Sequence, residues 1–468
     1  MLPLRHKNSS DFFYVPDLGL GYLATALRKN FNEKIEIKFL INNLKIPEKK
    51  FKIFLTKNNF DFVGLKVFSS SVTNAQKTIQ LIKEALPKTV IIAGGPHIKI
   101  MPEQIINLLG VDYAIQGEAE NSLPELLELL SINFNPQKIP DQKLESIPGL
   151  VWKKGEKIFS NQSEVIKDLS QQRLPAWDLM APKSFARNKT RLSKNYPAVP
   201  LILTRGCTFK CTFCNQANSN FRKRNLKTII SELIILKNKY NAKEFQILYD
   251  NCTLDKNFFF DFCSKLITFD LNLSWTIAGG VHLNTLDAHL LNLMKKSGCY
   301  EIWVGIESGS QRLLNKMQKG LAIEDISRKI KLIKNENIKV GAFFMLGYPG
   351  ETDFDRELTL QLSLQLPLDY AKFTIFIPQP GTEIFKKLNC EKKLFPLDSL
   401  LCADNEFSNN FTNLPPDQLK SLQRKFSLRF YARPNILFNI LKEYCSLTRL
   451  PYLLKLFYLF IFSQRSTW

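Results

Sequence analysis

Residues 198–216 read AVPLILTRGCTFKCTFCNQ: an apolar run of strand formers, then three cysteines, Cys207, Cys211 and Cys214, inside eight positions. The chain holds nine cysteines, and the other six are scattered. Four clustered thiolates would read as structural zinc or a fully ligated iron–sulfur cluster. Three at C-x3-C-x2-C on one loop can each hold one iron of a [4Fe–4S] cube and leave the fourth iron open. An open metal position is what separates a catalytic site from a structural one. Two plainer readings stand beside this: three buried thiols with no ligand role, and a zinc site that borrows a fourth ligand.

Downstream the pattern repeats. Strand candidates are AVPLILT, EFQILYD, LSWTIAG, EIWVGIES, KVGAFFML and YAKFTIFIP, with helical periodicity between most of them, as in LKTIISELIILKNKY and AIEDISRKIKLIKNEN. Six strands with helical crossovers fit a partial or complete TIM-type α/β barrel, whose chemistry sits at the carboxyl ends of its strands. The cysteine loop follows the first strand on that working face.

Upstream, residues 60–130 also alternate. FDFVGLKVF, TVIIAGG and VDYAIQGEAE read as strands. SSSVTNAQKTIQLIKEAL, PEQIINLLG and SLPELLELL read as helices, the last opening on a capping box of Ser122 and Glu125. This β-α order predicts a Rossmann-like, doubly wound parallel sheet, which binds ligands outside the carboxyl ends of its strands. The strand exits carry Ser69, Ser70 and Ser71, Gly94 and Gly95, and Gly117 and Glu118. For any one glycine pair simple tight turning explains the residue, but three such exits in register point to a bound ligand. Between the two series lies a proline-rich connector whose GLVWKKGEKIFSN predicts a hairpin turning at Lys154–Gly155.

Composition bounds the rest. The chain has 468 residues, 45% hydrophobic and 23% charged, which is ordinary globular usage for two or three domains. The formal charge of +21 fits nucleic acid, a membrane surface or an acidic substrate, but Lys is abundant everywhere and no basic patch interleaves aromatics as a nucleic-acid platform does. No nucleic-acid partner is expected. MLPLRHKNSSDFF lacks the apolar core of a signal peptide, and an odd cysteine count without one points to a reducing, cytoplasmic setting. The tail from Pro415 is helical and basic. Its LFYLFIF is far below the ~20 residues that span a bilayer. Its pattern fits a helical cap on the barrel, the common case, and also an interfacial helix in peripheral contact with the inner membrane surface.

With those residues in view, CTFKCTFC resembles the cluster loop of the radical S-adenosylmethionine superfamily, including Phe213 before the last cysteine. GIESGS (305–310), FFMLGYPGET (343–352) and PQPGTEIF (378–385) are similar to the subgroup with an N-terminal B12-binding domain. PDLGLGYLATALR, FDFVGLKVFSSS, VIIAGGPH and DYAIQGEAE follow that domain's pattern in order. The resemblance implies a B12-binding-type domain over 1–135, a linker with hairpin over 136–195, a radical core over 196–390 and a helical region over 391–468. It implies that Cys207, Cys211 and Cys214 hold the cluster, and that Phe213, Asp250, Glu307 and Ser308 surround S-adenosylmethionine. It further implies that Ser69, Ser70, Gly94, Gly95, Gly117 and Glu118 face cobalamin. Two departures stand out. The Asp-x-His-x-x-Gly loop that ligates cobalt from below is absent, so no protein histidine ligand is expected, with His97 of GGPH a poor substitute. The first strand is barely represented in MLPLRHKNSS, which leaves a short strand or none.

The function so implied is reductive cleavage of S-adenosylmethionine to a 5′-deoxyadenosyl radical in a cobalamin-dependent methyltransferase. An electron donor such as flavodoxin or ferredoxin is required. The alternatives are a cyclase, oxidase or rearrangement enzyme acting on a porphyrin-like or lipid substrate, and a corrinoid-binding protein with an idle barrel. No residue is singled out for the hydrogen abstraction itself.

Overall fold

The computed structural model of the chain describes residues 2–3, 17–32, 34–40, 46–68, 71–100, 102–132, 139–180, 193–248, 250–391 and 411–444. Ser69, Ser70, His6, Cys402, Cys445 and the LFYLFIF segment lie outside them. The chain forms two compact units, one from the described residues up to 180 and one from those after 193.

The first unit is one six-stranded sheet in the order β1 (Leu2–Pro3), β2 (Phe62–Lys66), β3 (Val90–Gly94), β4 (Tyr113–Ile115), β5 (Leu150–Lys154), β6 (Lys157–Ser160). β1 to β4 are parallel, and β5 and β6 join antiparallel. The first strand, barely represented in the sequence, is two residues long, with Leu2 opposite Leu65 and Pro3 opposite Lys66. Proline cannot donate to a ladder, which is tolerable here because β1 is an edge. The hairpin does more than connect, since β5 pairs with β4 through Tyr113↔Trp152 and Ile115↔Leu150.

Strand alternation feeds two cores. Val63, Leu65, Ile91, Ala93, Ala114 and Val151 pack with Phe51, Leu55, Ile79 and Ile105 on one face. Ile92, Tyr113, Ile115, Leu150 and Trp152 pack with Leu27, Leu123 and Leu126 on the other. A sheet covered on both faces must be apolar at successive positions, which is why TVIIAGG reads as a continuous run. The expected Ser122 cap is not made. Ser122 lies inside helix Ser122–Ile132, and its hydroxyl donates to the Pro148 carbonyl at 2.7 Å.

The second unit is built on six parallel strands: β7 (Ala198–Leu201), β10 (Glu244–Ile247), β11 (Ser274–Val281), β12 (Cys299–Glu307), β13 (Lys339–Leu346) and β14 (Tyr370–Ile375). They lie side by side in chain order, and each predicted strand is present. A short ribbon, β8 (Thr204–Arg205) with β9 (Arg222–Lys223), brackets the cysteine loop. Among the described residues β7 and β14 do not pair, so the sheet is an open barrel. Val199, Phe245, Ile277, Val304, Ala342 and Phe344 are fully buried on the helix side. Many of the helices start on a side chain that accepts from their first turn, namely Asn225, Asp255, Asp287, Ser310, Thr352 and Thr382. Helix Pro416–Tyr431 covers the free edge of β14: Tyr431 Oη donates to the Ala371 carbonyl at 2.8 Å, Gln423 Nε2 donates to the Phe373 carbonyl, and Phe426 packs edge-on against Phe373. No described helix is long and apolar enough to cross a membrane.

Candidate functional site

The cysteine loop leaves β8 through Gly206, at φ +91°. A Cβ there would stand 2.0 Å from the Asn220 carbonyl oxygen, so only glycine lets the two ends of the loop pass so closely. Inside, the loop is tied to itself. The Cys207 amide donates to Ser219 Oγ at 3.0 Å, the Asn218 amide to the Phe209 carbonyl at 2.8 Å, and the Cys214 amide to the Cys211 carbonyl at 3.1 Å. It is also tied to the barrel: the Thr212 amide donates to the Met317 carbonyl, and the Thr212 and Tyr348 hydroxyls are 2.7 Å apart. Phe209 stacks on His282 at the end of β11, ring centres 3.8 Å apart. The His282 Nδ1 lies 3.3 Å from the Asn284 amide, which makes it an acceptor, so Nε2 carries the hydrogen and donates to the Lys319 carbonyl at 2.6 Å. Burial pushes His282 down to about 4, so the ring is neutral.

Among the described residues no three His, Cys, Asp or Glu side chains converge on one ion position. A cube does not ask for that, because it offers each thiolate a different iron. Burial pushes the Cys207 thiol up and Cys211 to about 11, so these thiols stay protonated unless a cation takes the proton's place.

Of the residues expected around S-adenosylmethionine, three sit close to this loop. Asp250, held at φ +30°, accepts from the Gly206 amide at 2.6 Å. Phe213 joins the cluster of Leu313, Met317, Tyr348 and Phe376 and has the Lys319 ammonium 5.9 Å from its ring centre. Glu307, at φ +70° at the end of β12, meets that ammonium at 2.9 Å. Ser308 is fully buried; its hydroxyl accepts from the Ser310 amide and lies 3.2 Å from the Thr359 hydroxyl. Lys319 was not anticipated. It is buried in a loop after helix Gln311–Lys316, and burial works against its charge. The Glu307 carboxylate outweighs that and holds its pKa above the ordinary lysine range. A Cβ on Gly305 would fall 2.4 Å from Glu307 Oε1 and 2.7 Å from Lys319 Nζ, so the ion pair lies directly over that glycine.

In the first unit the strand exits are tightly built. Gly95 has φ +104°, and a Cβ there would meet the Val67 carbonyl at 2.9 Å. Gly117, at φ +84°, lies against Ser163, and Glu118 accepts from the Ile166 amide at 2.7 Å. Gly94 is the roomy one, with only the Ile115 carbonyl near its Cβ position, at 3.8 Å. His97 is packed at 1% exposure, and burial pushes it down to about 4, which makes it a neutral core residue. At the exit of β2, Lys66 forks onto both carboxylate oxygens of Asp17 at 2.8 Å, and Asp17 also caps helix Leu18–Asn30. The sequence offered no signal for this pair, whose members are far apart in the chain.

Comparison with known proteins adds two domain matches. Residues 10–127 match the B12 binding domain, and residues 201–363 match the radical SAM superfamily. An uncharacterized methyltransferase of Pyrococcus horikoshii is 27% identical over 434 residues, covering 92% of this chain and 90% of its own. An anaerobic magnesium-protoporphyrin IX monomethyl ester cyclase of Rubrivivax gelatinosus is 25% identical, covering 82% of this chain and 68% of its own. The radical S-adenosylmethionine methyltransferase TsrM of Kitasatospora setae, solved with cobalamin and a [4Fe–4S] cluster, has the same fold at a TM-score of 0.69. It shows 16% identity and covers 83% of this chain and 77% of its own.

Proposed function

We infer, from a chain that belongs to the radical S-adenosylmethionine superfamily and carries a B12-binding domain ahead of its radical domain, that the protein is a cobalamin-dependent methyltransferase. Its cofactors are a [4Fe–4S] cluster, S-adenosylmethionine and cobalamin. Together these supply a one-electron reductive cleavage and a transferable methyl group. The observation that carries the reading is the three-thiol loop, pinned by Gly206 at the strand ends of an open barrel beside the buried Glu307–Lys319 pair. An idle barrel has no use for such a loop.

The roles follow from the chemistry. Cys207, Cys211 and Cys214 would each hold one iron of the cluster. Asp250 fixes the loop's entrance through the Gly206 amide. Glu307 and Lys319 form a buried charge pair near the cysteine loop whose two signs would suit an amine and a carboxylate. Phe213 offers a ring face, and Ser308 holds the turn after β12. At the other site Gly94, Gly95, Gly117 and Glu118, with Ser69 and Ser70, border the corrinoid, and no histidine ligates it from below. The corresponding domains are 1–135, 136–195 as linker and hairpin, 196–390, and 391–468. The substrate is a small molecule. The electron comes from a flavodoxin- or ferredoxin-type donor in the cytoplasm.

The test is anaerobic reconstitution with iron, sulfide and cobalamin, then incubation with reductant, S-adenosylmethionine and candidate substrates. A methyltransferase forms 5′-deoxyadenosine and S-adenosylhomocysteine together. The Rubrivivax gelatinosus relative is a cyclase by name, which favours a second reading: substrate-dependent 5′-deoxyadenosine without S-adenosylhomocysteine would establish cyclisation, oxidation or rearrangement instead.

A further inference from the structure

The inner face of the open barrel carries an aromatic floor that the cluster chemistry does not use. Trp303 of β12, Phe343 of β13 and Tyr370 of β14 share one face. Trp303 lies 4.9 Å from Phe343 and 6.1 Å from Tyr370 by ring centres, the latter nearly parallel at 10°. Two glycines make the room. A Cβ on Gly341 would stand 2.5 Å from the Trp303 indole, and one on Gly280 would stand 3.2 Å from the Phe343 ring. The indole can therefore lie flat across β13. Its N–H is already spent on Glu301 at 2.8 Å, which leaves its face as the functional surface. Trp303 and Phe343 are only half-buried, although the opposite face of the same strands, Val304, Ala342 and Phe344, is fully buried.

Lys372 stands on this floor. The ladder puts it directly opposite Phe343, which in turn is opposite Gly305. Gly305 is the residue under the Glu307–Lys319 pair, so Lys372 is two strand spacings, about 10 Å, from the foot of that pair. The two lysines differ. Lys319 is matched by Glu307, whereas Lys372 makes no ion pair or hydrogen bond among the described residues. It is exposed, yet surrounding protein pulls its pKa down. Both hold for an ammonium standing inside an open cavity. An unmatched cation beside half-buried rings calls for an anion with a flat apolar body.

We propose that the barrel binds a planar aromatic or conjugated carboxylic acid, its carboxylate on Lys372 and its ring system on Trp303 and Phe343. The substrate class so named rests on the radical-enzyme reading of the site. With the acid group at Lys372, a flat body about 10 Å long directs its far carbons to the end of the barrel where the cysteines stand.

The test uses the full reconstituted chain and two probes, 1-pyrenebutyrate and its methyl ester, followed by fluorescence anisotropy. The acid should bind wild type at least tenfold more tightly than the ester. Lys372→Met should erase that preference, and Lys372→Arg should restore it to within about threefold. Lys372 is exposed, so these variants fold, and the ~400 nm cluster absorbance reports their integrity and tests the radical reading separately. Equal binding of acid and ester to wild type, or an unchanged preference in Lys372→Met, overturns the proposal. So does competitive displacement of the acid by S-adenosylmethionine, which would assign the lysine to that cofactor's own carboxylate.

Discussion

Lys319 shows how one side chain can join the parts of the site. Its ammonium meets Glu307 and approaches Phe213, while its carbonyl accepts from His282, which stacks on Phe209 of the cysteine loop. Lys319→Met leaves Glu307 buried without its cation, a change that costs about 3–5 kcal/mol. Chemical denaturation of the metal-free chain should show that loss. The double variant Lys319→Met/Glu307→Gln should recover most of it, because a neutral amide needs no counter-charge. Equal stability of single and double variants would mean the pair contributes no coupling. The cysteines are tested by colour: Cys207→Ala, Cys211→Ala and Cys214→Ala together should abolish the ~400 nm absorbance of the reconstituted protein. Cys252, Cys263 and Cys299 are buried structural thiols, and alanine at any of them should leave the absorbance in place. The three loop thiols were legible from spacing alone. Lys319 was not, because its meaning comes from the left-handed turn at Glu307 and from partners on three other segments.

At the scale of elements, the strands were legible because a parallel strand covered on both faces must be apolar throughout, and helices with one wet face keep a 3.6-residue period. What escaped was pairing at a distance. The run MLPLRHKNSS holds a strand only because β2 offers it an edge, and the hairpin joins the first sheet only because β4 is there to receive it. Glycines tell the same story: nothing in the sequence singles out Gly206, and only the crossing of residues 206 and 220 shows why it cannot change. Gly206→Ala therefore has a sharp expected outcome. The loop must spread, so cluster content after reconstitution should fall severalfold, while far-UV circular dichroism stays at the wild-type value. Full cluster content in that variant would show that the loop opens without consequence. Helix Pro416–Tyr431 gives a matching expectation for the second unit. Phe426→Ala removes a buried ring from the edge of β14 and should cost about 3–5 kcal/mol of unfolding free energy, read by chemical denaturation.

For the whole molecule the open question is the charge of +21 and where it acts. A cation of that size is drawn to any anionic surface at low salt, so vesicle binding there says little about a dedicated membrane contact. Screening separates the cases. At about 0.15 M salt the Debye length is about 8 Å, and long-range attraction is largely gone, whereas apolar side chains inserted into the interface still hold. Helix Pro416–Tyr431 spends Leu419, Phe426 and Phe430 on the barrel, and so behaves as a cap. Leu437 and Phe438 of the next helix are exposed and are the described residues best placed to insert. The expected outcome is that the full chain floats with anionic liposomes at low salt and is released at 0.15 M. Leu437→Ser/Phe438→Ser should then follow the wild-type curve. Retention at 0.15 M that is lost in this variant would instead establish an interfacial helix, and with it access to a substrate drawn from the bilayer.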